Sequence, residues 1–138
     1  MKFKLSVIFI TFIFVTLVIA GAYVYDFTVT RYNSDIKITW KTQIEENVEY
    51  FALQRKTNET NEWVTIYTTK PHGSNSTYYY LDTEIYKING TQFMYRLAIA
   101  ERNSDGTTTI SYLNGPAPIT QNISGVKRTW GSIKAMFR

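Results

Sequence analysis

The chain has 138 residues, eleven of them tyrosine and none of them cysteine, and its formal net charge is +4 at neutral pH. This length accommodates one domain with an adequate core, and the lack of cysteine excludes a disulfide framework and a thiolate metal site. The basic excess lies at the ends, because residues 23–124 carry a formal charge of −2 and residues 125–138 carry +4, so a basic nucleic-acid-binding face is not expected.

Residues 1–22 have the pattern of a secretory signal. Two lysines precede the apolar run Leu5–Ala20, which is predicted to be a hydrophobic helix, and Ala20–Ala22 has the small-x-small form of a cleavage site. We expect cleavage to leave a mature chain that begins at Tyr23. The alternative is that about 20 mostly apolar residues, ending at Val24, stay uncleaved as a membrane anchor with the positive end inside. Both interpretations predict export, to the periplasm, the cell surface or the extracellular space.

Seven short strands are predicted in the domain 23–114, because β-branched and aromatic residues alternate with polar ones between turn-forming segments. The first five are Asp26–Arg31, Ile36–Lys41, Tyr50–Lys56, Trp63–Thr69 and Ser76–Asp82. The last two form a hairpin over Gly90–Tyr112, with its turn at Asn103–Gly106. Short strands at this spacing are typical of an all-β, antiparallel sandwich, and we expect no helix within it.

Period-two alternation also predicts which side chains face the core. The predicted core residues are Phe27, Val29, Ile36, Ile38, Trp40, Phe51, Leu53, Tyr95, Leu97 and Ile99, and the fourth strand alternates through Val64 and Ile66. In Tyr78–Tyr80 the outer two tyrosines share a face and the middle one points the other way. One set is expected to pack in the core and the other to lie exposed, where tyrosine is a good contact residue for a protein or a glycan. Gln43–Asn47 is predicted to be a polar loop.

Several short motifs stand in a fixed order between Phe27 and Tyr112. The residues that form them are Trp40, Thr42, Glu45, Asn47, Phe51, Leu53, Arg55, Tyr78, Asp82, Gly90, Thr91, Tyr95, Arg96, Leu97, Asp105, Gly106 and Ser111. In this order they resemble the fibronectin type III domain, in the variant found in secreted and gliding-associated proteins of Bacteroidetes-like bacteria. The resemblance implies a seven-stranded, immunoglobulin-like sandwich. It implies no particular function, because these are mostly core and turn positions.

Secreted proteins of that group often carry a further C-terminal sorting domain. Too few residues follow the last predicted strand to form one. We therefore expect export by the general secretory route.

The segment 126–138 is a short basic amphipathic tail that follows a predicted linker at 115–125. On a helix its apolar residues would share one face and most of its basic residues would lie on a flank. The candidate partner- or membrane-binding residues are Trp130, Ile133, Phe137, Lys127, Arg128, Lys134 and Arg138. A helix of this length is marginal alone in water. Three outcomes are open: docking on a protein partner, docking on an anionic membrane, or neither, with the tail folded back on its own sandwich or without fixed structure.

Side chains suited to catalysis are sparse. The single histidine, His72, lies in a loop rich in Pro, Gly and Ser and is expected to be solvated. Glu45, Glu46 and Glu49 are close in sequence and could bind Ca²⁺ weakly, although a solvated loop is the preferred interpretation. We therefore expect no enzyme activity, no catalytic, metal-binding or cofactor-binding site, and no cofactor.

Together these features predict a non-enzymatic, exported cell-envelope module of the fibronectin type III type, with a binding or structural role. It would dock through its C-terminal tail on a protein or another envelope component, and no nucleic-acid partner is expected. The alternatives are an uncleaved, single-pass membrane component and a subunit of a surface filament that assembles by edge-strand pairing.

Overall fold

The computed structural model describes residues 21–88 and 91–120, which form two antiparallel β-sheets. The strands are β1 (Ala22–Tyr32), β2 (Asp35–Glu45), β3 (Val48–Thr57), β4 (Val64–Thr69), β5 (Thr77–Asp82), β6 (Gln92–Arg102), β7 (Thr108–Asn114) and β8 (Ile119–Thr120). Within the described residues one helical segment occurs, a single 3₁₀ turn at Ile85–Lys87. Its Ile85 side chain is 1% exposed, so the turn carries an apolar residue into the core between β5 and β6, where no helix was predicted.

Sheet A has the strand order β1-β2-β5, and sheet B has the order β4-β3-β6-β7, with β8 paired to β6 beyond the end of β7. The sheets pack face to face: Trp40 of β2 meets Phe51 of β3, with ring centroids 6.4 Å apart. The prediction of an all-β fold of antiparallel strands is confirmed. The number of strands differs by one from the seven predicted, because the short β8 follows the last predicted strand.

The core lies between the sheets and consists largely of the side chains that alternation predicted. The predicted β2 and β3 residues Ile36, Ile38, Trp40, Phe51 and Leu53 are fully buried. Strand β6 contributes Phe93, Tyr95, Leu97 and Ile99. Removing side chains of this size from water is the main stabilising contribution to a domain of this kind.

Strand β1 keeps its apolar residues on the core side by means of a β-bulge. Val24 packs on the core before the bulge, and the predicted Phe27 and Val29 pack on it afterwards. Asp26, in the bulge, has φ of 54° and pairs with Lys41 of β2 at 3.0 Å. One extra residue in the strand shifts the alternation by one position, so both apolar segments face inward.

Strand β2 extends further than predicted. It continues through Glu45, so the predicted loop Gln43–Asn47 is wrong and is reduced to a turn of two residues, Glu46 and Asn47. Asn47 has φ of 60°, a left-handed conformation that Asn tolerates well. The polar end of β2 stays in the strand because Glu45 has buried hydrogen-bond partners, which are described below.

The two apolar residues of β4 have different environments. Ile66 packs against the core, whereas Val64 is 53% exposed. The register between β3 and β4 shifts between Leu53 and Gln54. This irregularity interrupts the simple alternation that the sequence predicted for β4.

The chain enters and leaves the sandwich at opposite ends. Ala22 pairs with Glu45 at the end of β2, whereas Ile119 pairs with Phe93 at the start of β6. The eleven residues of β6 span about 33 Å at the usual rise per residue. The described strands therefore extend on both sides of the predicted domain limits, 23–114.

Most of the predicted signal or anchor, and the whole of the tail 126–138, lie outside the described residues. That includes every candidate binding residue of the tail: Trp130, Ile133, Phe137, Lys127, Arg128, Lys134 and Arg138. In the described part of the chain, no helix has the length and apolar character needed to cross a membrane.

Candidate binding face

A buried ion pair joins the two sheets. Arg55 of β3 donates from Nη1 to both oxygens of Asp82 of β5, at 2.7 and 2.6 Å. The Asp82 side chain is 2% exposed and also accepts the hydroxyl of Tyr95 at 2.9 Å. Burial, reinforced by this carboxylate, raises the pKa of the Tyr95 hydroxyl. All three residues are among the motif residues identified in the sequence, and their contacts connect the two sheets.

A second buried carboxylate holds the end of the sandwich where β2 stops. Glu45 accepts the hydroxyls of Thr42 and Tyr78, both at 2.6 Å, and the backbone N–H of Gly73 at 2.7 Å. The Tyr78 hydroxyl in turn accepts the backbone N–H of His72 at 2.7 Å. This network ties the loop between β4 and β5 to the end of β2.

The side chains considered above for catalysis and Ca²⁺ binding, among them His72, Glu45 and Glu49, make contacts within the folded domain. The exposed ring of His72 stacks on Tyr78, with centroids 4.7 Å apart. The Thr108 hydroxyl and the Arg102 guanidinium both donate hydrogen bonds to Glu49, and these bonds lower the pKa of its carboxyl. The solvated-loop interpretation is wrong for Glu45, which is buried. Among residues 21–88 and 91–120, no three His, Asp or Glu side chains converge closely enough to hold a metal ion.

The environment of the Tyr78 hydroxyl predicts how the stability of the domain changes at alkaline pH. Burial and the hydrogen bond to Glu45 raise the pKa of Tyr78 to about 12. Tyrosine in the unfolded chain has a pKa near 10, so the folded state binds the Tyr78 hydroxyl proton more tightly than the unfolded state does. The stability that the protonated hydroxyl contributes is therefore complete below about pH 10 and is lost as the pH rises towards 12. Urea unfolding between pH 9 and 12 should therefore show a shallower decline in stability for Tyr78→Phe than for the wild type.

The exposed neighbour Tyr79 provides the control for this experiment. Its side chain is 70% exposed, against 3% for Tyr78, so Tyr79→Phe should leave the alkaline decline unchanged. Equal declines for Tyr78→Phe and the wild type would contradict the role given to the Tyr78 hydroxyl.

The outer face of sheet B carries a stack of aromatic and cationic side chains. The guanidinium carbon of Arg96 lies 4.4 Å from the ring centroid of Trp63 and 3.9 Å from that of Tyr112. Lys56 Nζ lies 5.1 Å from the Trp63 ring centroid. Arg96 Nε donates to Gln54 Oε1 at 2.7 Å, which fixes the plane of the guanidinium. We call these five residues the Arg96 stack.

Beside the Arg96 stack, strand β7 exposes apolar side chains. Ala52 of β3 and Ala98 of β6 are directly opposite one another but are buried, and Ala98 pairs on its other side with Tyr112 of β7. Ile110, two residues before Tyr112, is 44% exposed, and Tyr112 is 52% exposed. An exposed face that combines apolar residues with Trp, Tyr and Arg has the composition of a protein-binding surface.

The cations of the Arg96 stack have no carboxylate partner among the described residues. The ion pairs found there are Lys41–Asp26, Arg55–Asp82, Lys87–Glu84 and Arg102–Glu49. Aromatic rings hold Arg96 and Lys56 in place without neutralising their charge. The stack is therefore a positive site on a domain whose net charge is −2, and Arg96 presents a planar group suited to a carboxylate.

The outer face of sheet A also exposes tyrosine but differs in chemistry. Tyr79 projects from it whereas Tyr78 is buried, so the two lie on opposite faces, as the alternation predicted without saying which of them is exposed. Lys37 lies 5.8 Å from the Tyr79 ring centroid and 6.0 Å from that of Tyr32, beside a shallow cavity of about 220 Å³. This face therefore offers a second exposed surface for comparison with sheet B.

Sequence reasoning included Arg96 among the motif residues but missed the Arg96 stack. The sequence could have indicated the stack in one way: Arg96 alternates with the core residues of its strand, which places it on the outer face, and aromatic residues of other segments also occupy outward-facing positions. Comparison of the chain with protein-family models, with curated proteins and with solved structures found no match. The chemistry of the sheet B face is therefore the best guide to function in the described part of the chain.

Proposed function

We propose that this chain is an exported, non-enzymatic binding module of the fibronectin type III type, which contacts a protein partner through the outer face of sheet B. The strand order supports the family assignment, since three strands, β1-β2-β5, pack against four, β4-β3-β6-β7, as that family leads one to expect. The motif residues Arg55, Asp82, Tyr95, Glu45 and Tyr78 support it too, because they bond one another inside the sandwich.

The contacts of the buried acids favour a binding role over catalysis. Asp82 is engaged by Arg55 and Tyr95, and Glu45 by two hydroxyls and a backbone N–H. A general acid or base needs an oxygen that a substrate can reach. Both carboxylates instead have their oxygens occupied by donors that hold the fold together.

The observation that carries the proposal is the Arg96 stack. Arg96 and Lys56 are held by aromatic rings on the outer face of sheet B, without a carboxylate partner among the described residues. A partner that brings acidic side chains would complete the charge pairing and cover Tyr112 and Ile110. The exposed aliphatic side chain of Ile110 beside Tyr112 and Arg96 favours a protein over a polysaccharide as that partner.

The positive charge of Arg96 and Lys56 also argues against two other possible binding partners for this face. The tail 126–138 is strongly basic, so it would be repelled by Arg96 and Lys56. A second copy that presented the same face would place like cations opposite each other. The partner is therefore a different protein with an acidic surface.

We propose the C-terminal tail 126–138 as a second docking element, which binds a protein partner. Its apolar and basic residues, given above, are the basis of this proposal.

A photo-crosslinking amino acid at Ile110, in the exported chain in its own cells, tests the proposed face. We expect one main adduct with another protein, joined at a segment rich in Asp and Glu. The same amino acid at Tyr79, on sheet A, should not give this adduct. Arg96→Gln, and to a smaller extent Lys56→Gln, should reduce its yield severalfold, whereas Lys37→Gln should not.

Other outcomes of this experiment would reject the proposed partner. No adduct from Ile110, the same adduct from Tyr79, or an adduct with a polysaccharide would each do so. An adduct between two copies of the chain would indicate self-assembly through β7.

The bare edge formed by β7 favours such an assembly as a second candidate function. Strand β7, TTISYLN, is an edge strand without charge or proline, and it pairs regularly with β6. Native edges are usually blunted by charges, proline or bulges. Because β4 and β7 run in opposite directions, β7 of one copy could extend the sheet of the next copy antiparallel to its β4. Light scattering during size-exclusion chromatography would reject this candidate if the chain stayed monomeric as its concentration rises.

A further inference from the structure

Glu101 lies where the chain enters the sandwich. Its Oε1 accepts the backbone N–H of Ala22 at 2.5 Å, and Ala22 also pairs with Glu45 of β2. Ala22 is therefore the first residue of β1, and residues of two different strands hold it. The neighbouring cation, Arg102, is paired with Glu49 instead, so among the described residues the Ala22 amide is the donor that Glu101 engages.

Gly21 places its α-carbon close to the same carboxylate. A β-carbon on Gly21 would lie 3.5 Å from Oε1 and 3.9 Å from Oε2 of Glu101. If the chain began at Gly21, rotation about its Cα–C bond would carry the amino nitrogen into that position. Glycine has no side chain to oppose this rotation, so a terminal ammonium group at Gly21 can reach the carboxylate.

We propose that the exported chain begins at Gly21 and that its α-ammonium group binds to Glu101. The signal peptidase would hydrolyse the Ala20–Gly21 bond with one water molecule, leaving a carboxylate on Ala20 of the released leader and an amine on Gly21. Val18-Ile19-Ala20 provides the small residue before this bond and is a close variant of the Ala-x-Ala pattern. This inference rests on the export proposed above, but not on the sheet B partner.

The structure favours this site over cleavage before Tyr23. Cleavage there would remove Ala22, and with it the amide that Glu101 binds and the first residue pair between β1 and β2. Cleavage before Gly21 keeps both contacts and adds a charged group to the carboxylate. The complete strand β1 then belongs to the mature domain.

Intact mass and N-terminal sequencing of the chain isolated from exporting cells test the cleavage site. We expect a chain that begins at Gly21. A chain that begins at Tyr23 would overturn the inference while leaving export intact. A chain that still begins at Met1 would overturn both this inference and the cleaved form of the exported protein.

Labelling of the terminal amine with an acylating reagent at pH 7 tests the contact with Glu101. An ammonium group bound to a carboxylate is acylated more slowly, because only the neutral amine reacts. Glu101→Gln should therefore speed the labelling of Gly21 severalfold. Glu46→Gln, which removes another acid from the same cavity, should not.

The other charged groups around this point are Glu45, which is engaged by Tyr78 and Thr42, and Arg102, which is held by Glu49. Both are present in the wild type and in the two variants, so they do not alter the comparison. Equal labelling rates for the wild type and Glu101→Gln, or an equal effect of Glu46→Gln, would overturn the contact. Urea-unfolded chains, in which all three rates should coincide, provide the control.

Discussion

Replacing Asp82 with alanine is expected to lower the free energy of unfolding by about 3–5 kcal/mol. The Asp82 side chain is 2% exposed and accepts bonds from Arg55 and Tyr95. Without Asp82, the Arg55 guanidinium, which is 12% exposed, would be a charge without a partner between the sheets. Loss of one member of a buried pair is costly for this reason, even where the pair itself contributes little. Equilibrium urea unfolding of the domain measures the effect.

Two further variants separate this charge effect from a general loss of contacts. Glu84→Ala breaks an exposed pair with Lys87 and should have little effect on the free energy of unfolding, because water screens the pair. The double variant Arg55→Met/Asp82→Leu should be more stable than Asp82→Ala alone, because it leaves no unpaired charge. If Asp82→Ala cost no more than Glu84→Ala, the buried ion pair would not be a main link between the sheets.

The strands could be predicted from the sequence where one face of a strand is buried and the other is solvated. Ile36, Ile38 and Trp40 alternate with polar residues, and burial follows that alternation without exception. In β6 the alternation holds as far as Leu97, after which Ala98 and Ala100 on the outer face are buried as well. A period of two residues is a property of the strand itself, so it is visible in a single sequence.

The end of β2 could not be predicted, because its polar residues look like a loop until their partners are known. Glu45 is buried only because Tyr78 and Gly73, far along the chain, supply donors to it. Local pattern cannot reveal such a pairing. The resemblance to fibronectin type III domains marked Glu45 as a motif residue but did not indicate what it bonds.

The candidate binding face was missed for a related reason. Trp63, Arg96 and Tyr112 come from three separate segments. Arg96 and Tyr112 meet because β6 pairs with β7, and Trp63 joins them from the residue before β4, which pairs with the other side of β3. Sequence analysis treated the region around Arg96 as core and turn. The predicted site in the tail 126–138 lies outside the described residues, and it stays a prediction.

Replacing Trp40 with alanine is the second change with a large expected effect, about 3–5 kcal/mol. Trp40 is fully buried; its ring stacks on Tyr78 at 5.1 Å and meets Phe51 at 6.4 Å. Its removal would open a cavity between the sheets and free the Tyr78 ring, whose hydroxyl holds Glu45. Urea unfolding with the exposed Tyr79→Ala as a control, expected within about 0.5 kcal/mol of the wild type, measures the loss.

Trp40→Phe should be much milder than Trp40→Ala, and the difference tests what the indole contributes. The indole Nε1 is buried and has no hydrogen-bond partner in the described structure. A buried donor without an acceptor is itself destabilising, by about 1–3 kcal/mol. Phenylalanine keeps the aromatic contact with Tyr78 and removes this donor, so the relief offsets part of the lost volume and the net cost should be near 1 kcal/mol. If Trp40→Phe instead cost as much as Trp40→Ala, the indole N–H would have an acceptor in solution, and Trp40 would act through a polar contact as well as through packing.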